Sequence, residues 1–91
     1  MQTLKKYIED NNRWIALFGK PPMNFNGLTQ QEVKDLARTI DSQLSPENLH
    51  CDGEISAAEA QRKYRYLTKV ARELDEYCTR YGLTMPYLYE A

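Results

Sequence analysis

The stretch from residue 56 to residue 82, SAAEAQRKYRYLTKVARELDEYCTRYG, decides the fold. Apolar and aromatic residues recur through it at alternating steps of three and four, a spacing that places them along one side of a single helix. We call this row the seam; its members are Ala57, Ala60, Tyr64, Leu67, Ala71, Leu74, Cys78 and Tyr81. Because one helix cannot bury a seam alone, the sequence predicts an all-α domain in which other helices cover residues 57–81.

The ends of this long helix are marked by residues with known terminal preferences. Ser56 and Glu59 fit a capping box, in which each side chain accepts the backbone N–H of the other residue. Gly82 suits the position just past a helix, where the backbone turns left-handed. We therefore expect the helix to begin near residue 57 and to end at residue 81.

A second helix is predicted over residues 30–44. Thr29 and Glu32 form another capping box, and an apolar face follows at steps of three and four. Ser45 precedes Pro46, and a residue before proline is disfavoured in the helical conformation. A short connection to the long helix favours an antiparallel helical hairpin of residues 30–44 and 57–81.

An N-terminal helix is predicted over residues 3–18, with Thr3 as its N-cap and Phe18 on its apolar face. Gly19 and the two prolines that follow Lys20 end it. Met23 and Phe25, in the connection to the next helix, are expected to fold back onto the core. The sequence thus predicts a single three-helix domain over residues 1–91, with the first helix packed across the hairpin and residues 83–91 as a tail that docks or stays flexible. Heptad spacing of the seam also permits a homodimer through the long helix.

The composition excludes several classes of protein. Twelve basic and 13 acidic residues give a net charge of −1, so no overall field draws the chain to nucleic acid or anionic membrane. Cys51 and Cys78 are too few for a disulfide framework, and the first residues contain no apolar signal region. No apolar run approaches the roughly 20 residues of a membrane span. We expect a cytoplasmic protein with no membrane partner.

Residues 48–59, NLHCDGEISAAE, resemble a degenerate EF-hand loop. Gly53 and Ile55 stand at the loop's usual glycine and hydrophobic positions, whereas His50 stands where an oxygen ligand is usual. The resemblance implies a calcium site formed by Asn48, Asp52, Glu54, Ser56 and Glu59. The alternative is structural: Asp52 and Gly53 make a turn, and Ser56 with Glu59 caps the long helix.

Catalytic and cofactor motifs are missing from the sequence. It contains no glycine-rich phosphate loop, no GxSxG and no HExxH, and Cys51, His50 and Cys78 lack the spacing of a zinc site. We therefore expect a non-enzymatic protein that needs no cofactor.

The segment QRKYRYLTKVAR, residues 61–72, carries five basic side chains and no acidic one. Four of them recur at steps of three, four and three on the face opposite the seam; we call Arg62, Arg65, Lys69 and Arg72 the basic stripe. Such a stripe suits a protein partner, or phosphates with Tyr66 stacking on bases, or simply solvent.

Aromatic residues are more numerous than three short helices are expected to bury: Tyr7, Trp14, Tyr66, Tyr77, Tyr87 and Tyr89. Exposed Tyr, Trp and Arg are typical of protein-binding hot spots. The leading hypothesis is a protein-binding domain that uses the basic stripe with Tyr66 and Tyr77. The alternatives are a nucleic-acid-binding module that uses the same stripe, and a calcium-binding regulator.

The runs LSPENLHCDGEIS, residues 44–56, and EAQRKYRYL, residues 59–67, resemble small uncharacterised proteins encoded by bacteriophages. The resemblance implies a small accessory protein that binds a host protein in the host cytoplasm.

Overall fold

A computed structural model describes residues 1–45 and 57–86. Those residues form three α-helices, α1 (Gln2–Ala16), α2 (Gln30–Leu44) and α3 (Ala57–Tyr81), and a 3-10 turn at Phe25–Gly27. Within the described ranges there is no strand, so the predicted all-α class is confirmed. None of the described helices combines the length and apolarity needed to cross a bilayer.

Helix α3 is central, and α1 and α2 each pack against it. On the α1 side, the Leu4 backbone N–H donates to a Glu73 carboxylate oxygen at 3.0 Å. The rings of Tyr7 and Tyr66 lie 6.3 Å apart between centroids. Leu4 thus contacts α3 at Glu73, whereas Tyr7, one turn further along α1, contacts it at the earlier residue Tyr66. The two helices therefore run in opposite directions.

On the α2 side, the start of α2 lies at the end of α3. The Leu28 backbone N–H donates to the Tyr77 hydroxyl at 3.1 Å. Gln30 bonds the backbone of Thr84 twice, donating from Nε2 to the carbonyl and accepting the N–H, both at 2.8 Å. The antiparallel hairpin is therefore confirmed, and the first residues of the tail are docked on it, since Leu83 and Met85 also pack against the core.

The core uses the middle of the seam and departs from it at both ends. Leu67, Ala71, Leu74 and Cys78 are buried, together with Val70 and Tyr77 from the adjoining row. Ala60 is buried as well, whereas Ala57, Tyr64 and Tyr81 are exposed, so the predicted burial of these three residues is wrong. A helix flanked by two neighbours buries a wider face than a coiled-coil seam. A homodimer through the middle of the seam would have to expose the buried seam residues, which already pack inside one chain.

The ends of α2 and α3 follow the local sequence. Thr29 N–H donates to Glu32 Oε1 at 2.9 Å, and Glu32 N–H donates to Thr29 Oγ1 at 3.1 Å, which confirms the capping box. Gly82 has φ +70° just past α3. The Leu83 N–H reaches back to the Cys78 carbonyl at 2.8 Å, a bond that satisfies a carbonyl at the helix end. The second predicted capping box includes Ser56, which lies outside the described residues.

Helix α1 differs from its prediction at both ends. It begins at Gln2 with no capping side chain from its own segment, so Thr3 lies inside the helix and is not the N-cap. It ends at Ala16, where the Lys20 N–H bonds the Ile15 carbonyl at 3.2 Å across Gly19. Phe18 therefore lies beyond the helix and is exposed, so its placement on the buried face is wrong. The chain turns at Gly19, which has φ +73°, directly after Phe18.

The connection from α1 to α2 is held by the side chain of Asn12. Its amide donates to the Met23 carbonyl at 2.9 Å and accepts the Met23 N–H at 2.8 Å. Phe25 packs its ring 5.7 Å from that of Tyr77. Both Met23 and Phe25 are partly buried against the core, as predicted.

Candidate binding surface

The basic stripe lies on the solvent side of α3. Its four residues, Arg62, Arg65, Lys69 and Arg72, are all exposed. The buried residues of α3 leave this face free of packing because they point toward α1 and α2. At 1.5 Å per residue, the backbone positions of Arg62 and Arg72 are about 15 Å apart along the helix. The stripe is thus a row of cations about three helical turns long.

The cations of the basic stripe make no close ion pair with the described residues. Across residues 1–45 and 57–86, no carboxylate lies within 4.0 Å of a stripe nitrogen. The salt bridge found in these ranges joins Arg13 to Asp10 at 3.9 Å, and both of its side chains are well exposed. Within those ranges the four stripe side chains are exposed and have no carboxylate at ion-pair distance.

The two tyrosines predicted to contact a partner have different environments. Tyr66 is half-buried at the boundary between α1 and α3. Tyr77 is only 1% exposed, and its hydroxyl accepts the Leu28 N–H. Tyr77 as a partner-binding residue is therefore a wrong prediction, because the core and the connection before α2 enclose it. Its position seven residues after the buried Val70 is the signal in the sequence that places it on the inner face.

Sequence reasoning missed an apolar cluster at the end of α1. Trp14, Leu17 and Phe18 are 68%, 76% and 77% exposed. Single exposed apolar residues are ordinary on a protein surface, whereas several large ones together mark interaction sites. The prediction of exposed aromatic residues thus holds for Trp14, while Tyr7 belongs to the core.

A cavity of about 250 Å3 connects Trp14 to the long helix. It opens between α1 and α3, and its lining residues are Tyr7, Asp10, Asn11, Trp14, Gln43, Lys63, Tyr66 and Leu67. Tyr66 also lies between Arg62 and Lys69 on the helix surface, since residues three and four apart are neighbours. Trp14, Tyr66 and the basic stripe therefore form one continuous surface.

The phenols of this cavity are held in their neutral form. Burial raises the pKa of Tyr7 to about 12, and neighbouring Tyr66 adds to the rise. The Tyr7 hydroxyl donates to Gln43 Oε1 at 2.7 Å. Burial also raises the pKa of Tyr66, and the charges of Asp10 and Glu73 raise it further. Both tyrosines are thus protonated at neutral pH.

One further reactive group among the described residues is the buried Cys78 thiol of α3. Burial, followed by the charge of Asp75, raises the pKa of the Cys78 thiol, which keeps it protonated and a poor nucleophile. Over the described ranges, no three His, Cys, Asp or Glu side chains are grouped as metal ligands.

The predicted calcium ligands fall largely outside the described residues. Asn48, Asp52, Glu54 and Ser56 lie in the undescribed range 46–56, whereas Glu59 is exposed in the first turn of α3. The calcium site therefore stays a prediction.

Comparisons with protein-family models, curated proteins and solved structures found no match for this chain. The resemblance to bacteriophage proteins accordingly stays a prediction. The fold and the surface define a small all-α domain with α3 at its centre. The solvent-exposed side of this domain carries basic and aromatic residues.

Proposed function

We propose that the protein is a non-enzymatic binding domain that contacts another protein through the basic stripe and the adjoining Tyr66 and Trp14. The observation that carries the proposal is the row of four exposed cations, which no carboxylate of the described residues pairs, together with the exposed indole of Trp14. Arg, Trp and Tyr are the residues most enriched among binding hot spots.

The arrangement favours a partner with an acidic surface and an apolar anchor. Four like charges in a row attract carboxylates and speed the encounter of the two proteins, although charges at a rim add little affinity by themselves. Trp14, and next to it Leu17 and Phe18, supply the apolar area that affinity requires. The partner therefore meets α3 with its charge and the end of α1 with its apolar residues.

The test is a pull-down with tagged protein from a lysate of the cells in which it acts, quantified by mass spectrometry. The variant Arg65→Glu with Arg72→Glu reverses two charges of the stripe. Lys34→Glu with Arg38→Glu is the matched control, because both residues are exposed on α2. Each double change replaces two positive by two negative charges, so the net charge falls by 4, from −1 to −5.

We expect one partner to be captured by the wild type and by the α2 control and to be lost with the α3 variant. Equal capture by both double variants would show that the stripe plays no part. Cross-linking of the captured partner to Lys69 or Lys63 would place it on the proposed surface.

A nucleic-acid-binding module is the second candidate, favoured by the same row of exposed cations. Four phosphate contacts predict that the logarithm of the affinity falls with the logarithm of salt concentration with a slope of about −3.6 for duplex DNA. Fluorescence anisotropy with labelled single and double strands measures this slope. Failure to bind either strand form at low salt would remove the candidate.

The biological setting rests on the resemblance alone. Residues 44–56 and 59–67 support a role as a bacteriophage accessory protein that binds a host protein in the host cytoplasm. Expression of the protein in the host, followed by the same pull-down, tests this setting together with the partner.

A further inference from the structure

The cavity between α1 and α3 combines aromatic rings with negative charge. Tyr7, Trp14 and Tyr66 contribute three rings to its lining, and Asp10 contributes a carboxylate. The Tyr7 and Tyr66 rings are inclined at 53° to each other with centroids 6.3 Å apart, so they form two walls rather than a flat stack.

The chemistry of these walls suits a cation with an apolar shell. Aromatic faces carry negative potential, and cages of Trp and Tyr recognise quaternary ammonium groups. We propose that this cavity binds a quaternary ammonium group, such as that of choline or of a trimethylated lysine. The site goes beyond the proposed function: it shares Trp14 and Tyr66 with the proposed surface but does not use the basic stripe.

The charges around the cavity support a cationic occupant. Asp10 and Glu73 both act on the hydroxyl of Tyr66, which places negative charge beside that ring. The bond between Asp10 and Arg13 is long and exposed, so it leaves Asp10 largely available. Within the described ranges, the ring contact of Tyr7 and Tyr66 is with each other.

The size of the cavity and its lining disfavour other ligands. At about 250 Å3 it is smaller than the roughly 300–1,000 Å3 of pockets that hold drug-sized molecules, so it admits a small group. Asp10 repels an anion, and a single carboxylate is too few ligands for a calcium or magnesium ion. Lys63 also lines the cavity, and its positive charge repels a cation. Removing the charge of Lys63 should therefore strengthen the binding of a cation, whereas removing the charge of Asp10 should weaken it.

The probe is choline chloride, followed through the indole N–H signal of Trp14 by nuclear magnetic resonance. Trp14 is the single tryptophan of the chain, so its signal is unambiguous. Sodium chloride at equal concentration is the control for ionic strength. The neutral carbon isostere of choline, in which carbon replaces the quaternary nitrogen, is the control for shape.

We expect choline to shift the Trp14 signal with saturation and the neutral isostere to bind about tenfold more weakly. Asp10→Asn should weaken choline binding a few-fold, and Lys63→Gln should strengthen it a few-fold. Both residues have exposed or half-exposed side chains, so these variants are expected to fold. Titration with an Nα-acetylated trimethyl-lysine amide shows whether the quaternary ammonium group belongs to a modified protein or to a free small molecule. Tighter binding than choline points to a modified protein, and weaker binding points to a free ligand.

Equal affinities for choline and its neutral isostere would overturn the proposal, because the cavity would then be an ordinary apolar pocket. It would also be overturned if about 100 mM choline produced no shift beyond that of sodium chloride. The variant Arg65→Glu with Arg72→Glu should keep its choline binding, so failure of the protein-binding proposal and failure of this one are distinguishable.

Discussion

Glu73 is the residue whose replacement tests the tertiary structure most directly. Helix α1 has no acidic residue in its first turn and no capping side chain of its own. Its Leu4 N–H, which is buried, instead donates to the Glu73 carboxylate of α3 at 3.0 Å. The carboxylate satisfies a backbone donor at the start of α1 and interacts favourably with the positive end of the helix dipole.

The magnitude follows from the type of bond. A hydrogen bond to a charged acceptor contributes about 1.5–3 kcal/mol, and loss of an acceptor leaves a buried N–H without a partner. Glu73→Met keeps the length of the side chain and removes the acceptor, so we expect the free energy of unfolding to fall by about 2 kcal/mol. Glu73→Gln keeps a neutral acceptor and should lower it by about 1 kcal/mol.

Urea unfolding followed by far-ultraviolet circular dichroism measures both changes. For a slope of roughly 1–3 kcal/mol per molar urea, Glu73→Met should lower the midpoint by about 1 M. Glu76→Gln is the matched control, because Glu76 is exposed on the same helix and its effect should stay within about 0.5 kcal/mol. Amide exchange at Leu4 should accelerate in Glu73→Met. An unfolding free energy of Glu73→Met equal to that of the control would refute the assignment of Glu73 as the cap of α1.

Four other outcomes are expected. The pKa of Tyr7 in the folded protein, about 12, lies above the ordinary 10.0, so the stability it contributes is complete below pH 10.0 and is lost as the pH rises toward 12. The free energy of unfolding, measured with urea between pH 10 and pH 12, should therefore fall more steeply with pH for the wild type than for Tyr7→Phe. An equal dependence on pH in the two proteins would contradict the burial of the phenol. Gln30→Ala removes both bonds to Thr84, and amide exchange at Thr84 should then speed up, with no change expected for the exposed control Gln31→Ala. Sedimentation at micromolar concentration should give a monomer, because the middle of the seam is buried within one chain; a dimer would require another interface. In a calcium titration, unchanged amide signals around Gly53 at millimolar calcium would dispose of the EF-hand hypothesis, whereas a saturable shift would support it.

The positions of the helices could be predicted from the sequence, because the residues that begin or end a helix lie within a few positions of that end. The capping box of Thr29 and Glu32 defines the start of α2, and the glycine at position 82 defines the end of α3, so two helix ends follow from the sequence to the residue. Periodicity also identified most of the buried face of α3. It erred at Tyr64 and Tyr81, because a heptad pattern does not reveal how far the neighbouring helices extend along α3.

The candidate surface was predicted in part. The basic stripe is exposed as its spacing indicates, because four residues at steps of three and four must share a face. Tyr77 was misplaced, since its polar hydroxyl finds a partner only in the backbone of Leu28, which is 49 positions away in sequence. The cavity beside Trp14 had no signal in the sequence, because its walls come from both α1 and α3.

The sequence by itself determined an all-α chain, the bounds of α2 and α3, and the charged face of the long helix, because these depend on periodicity and on capping within one segment. Only the tertiary structure decided that Glu73 caps α1, that Tyr77 is internal, and that Trp14 stands exposed beside Tyr66. Each of these depends on which distant segments meet, and a hydrogen bond or a cavity between such segments leaves no pattern in either segment alone.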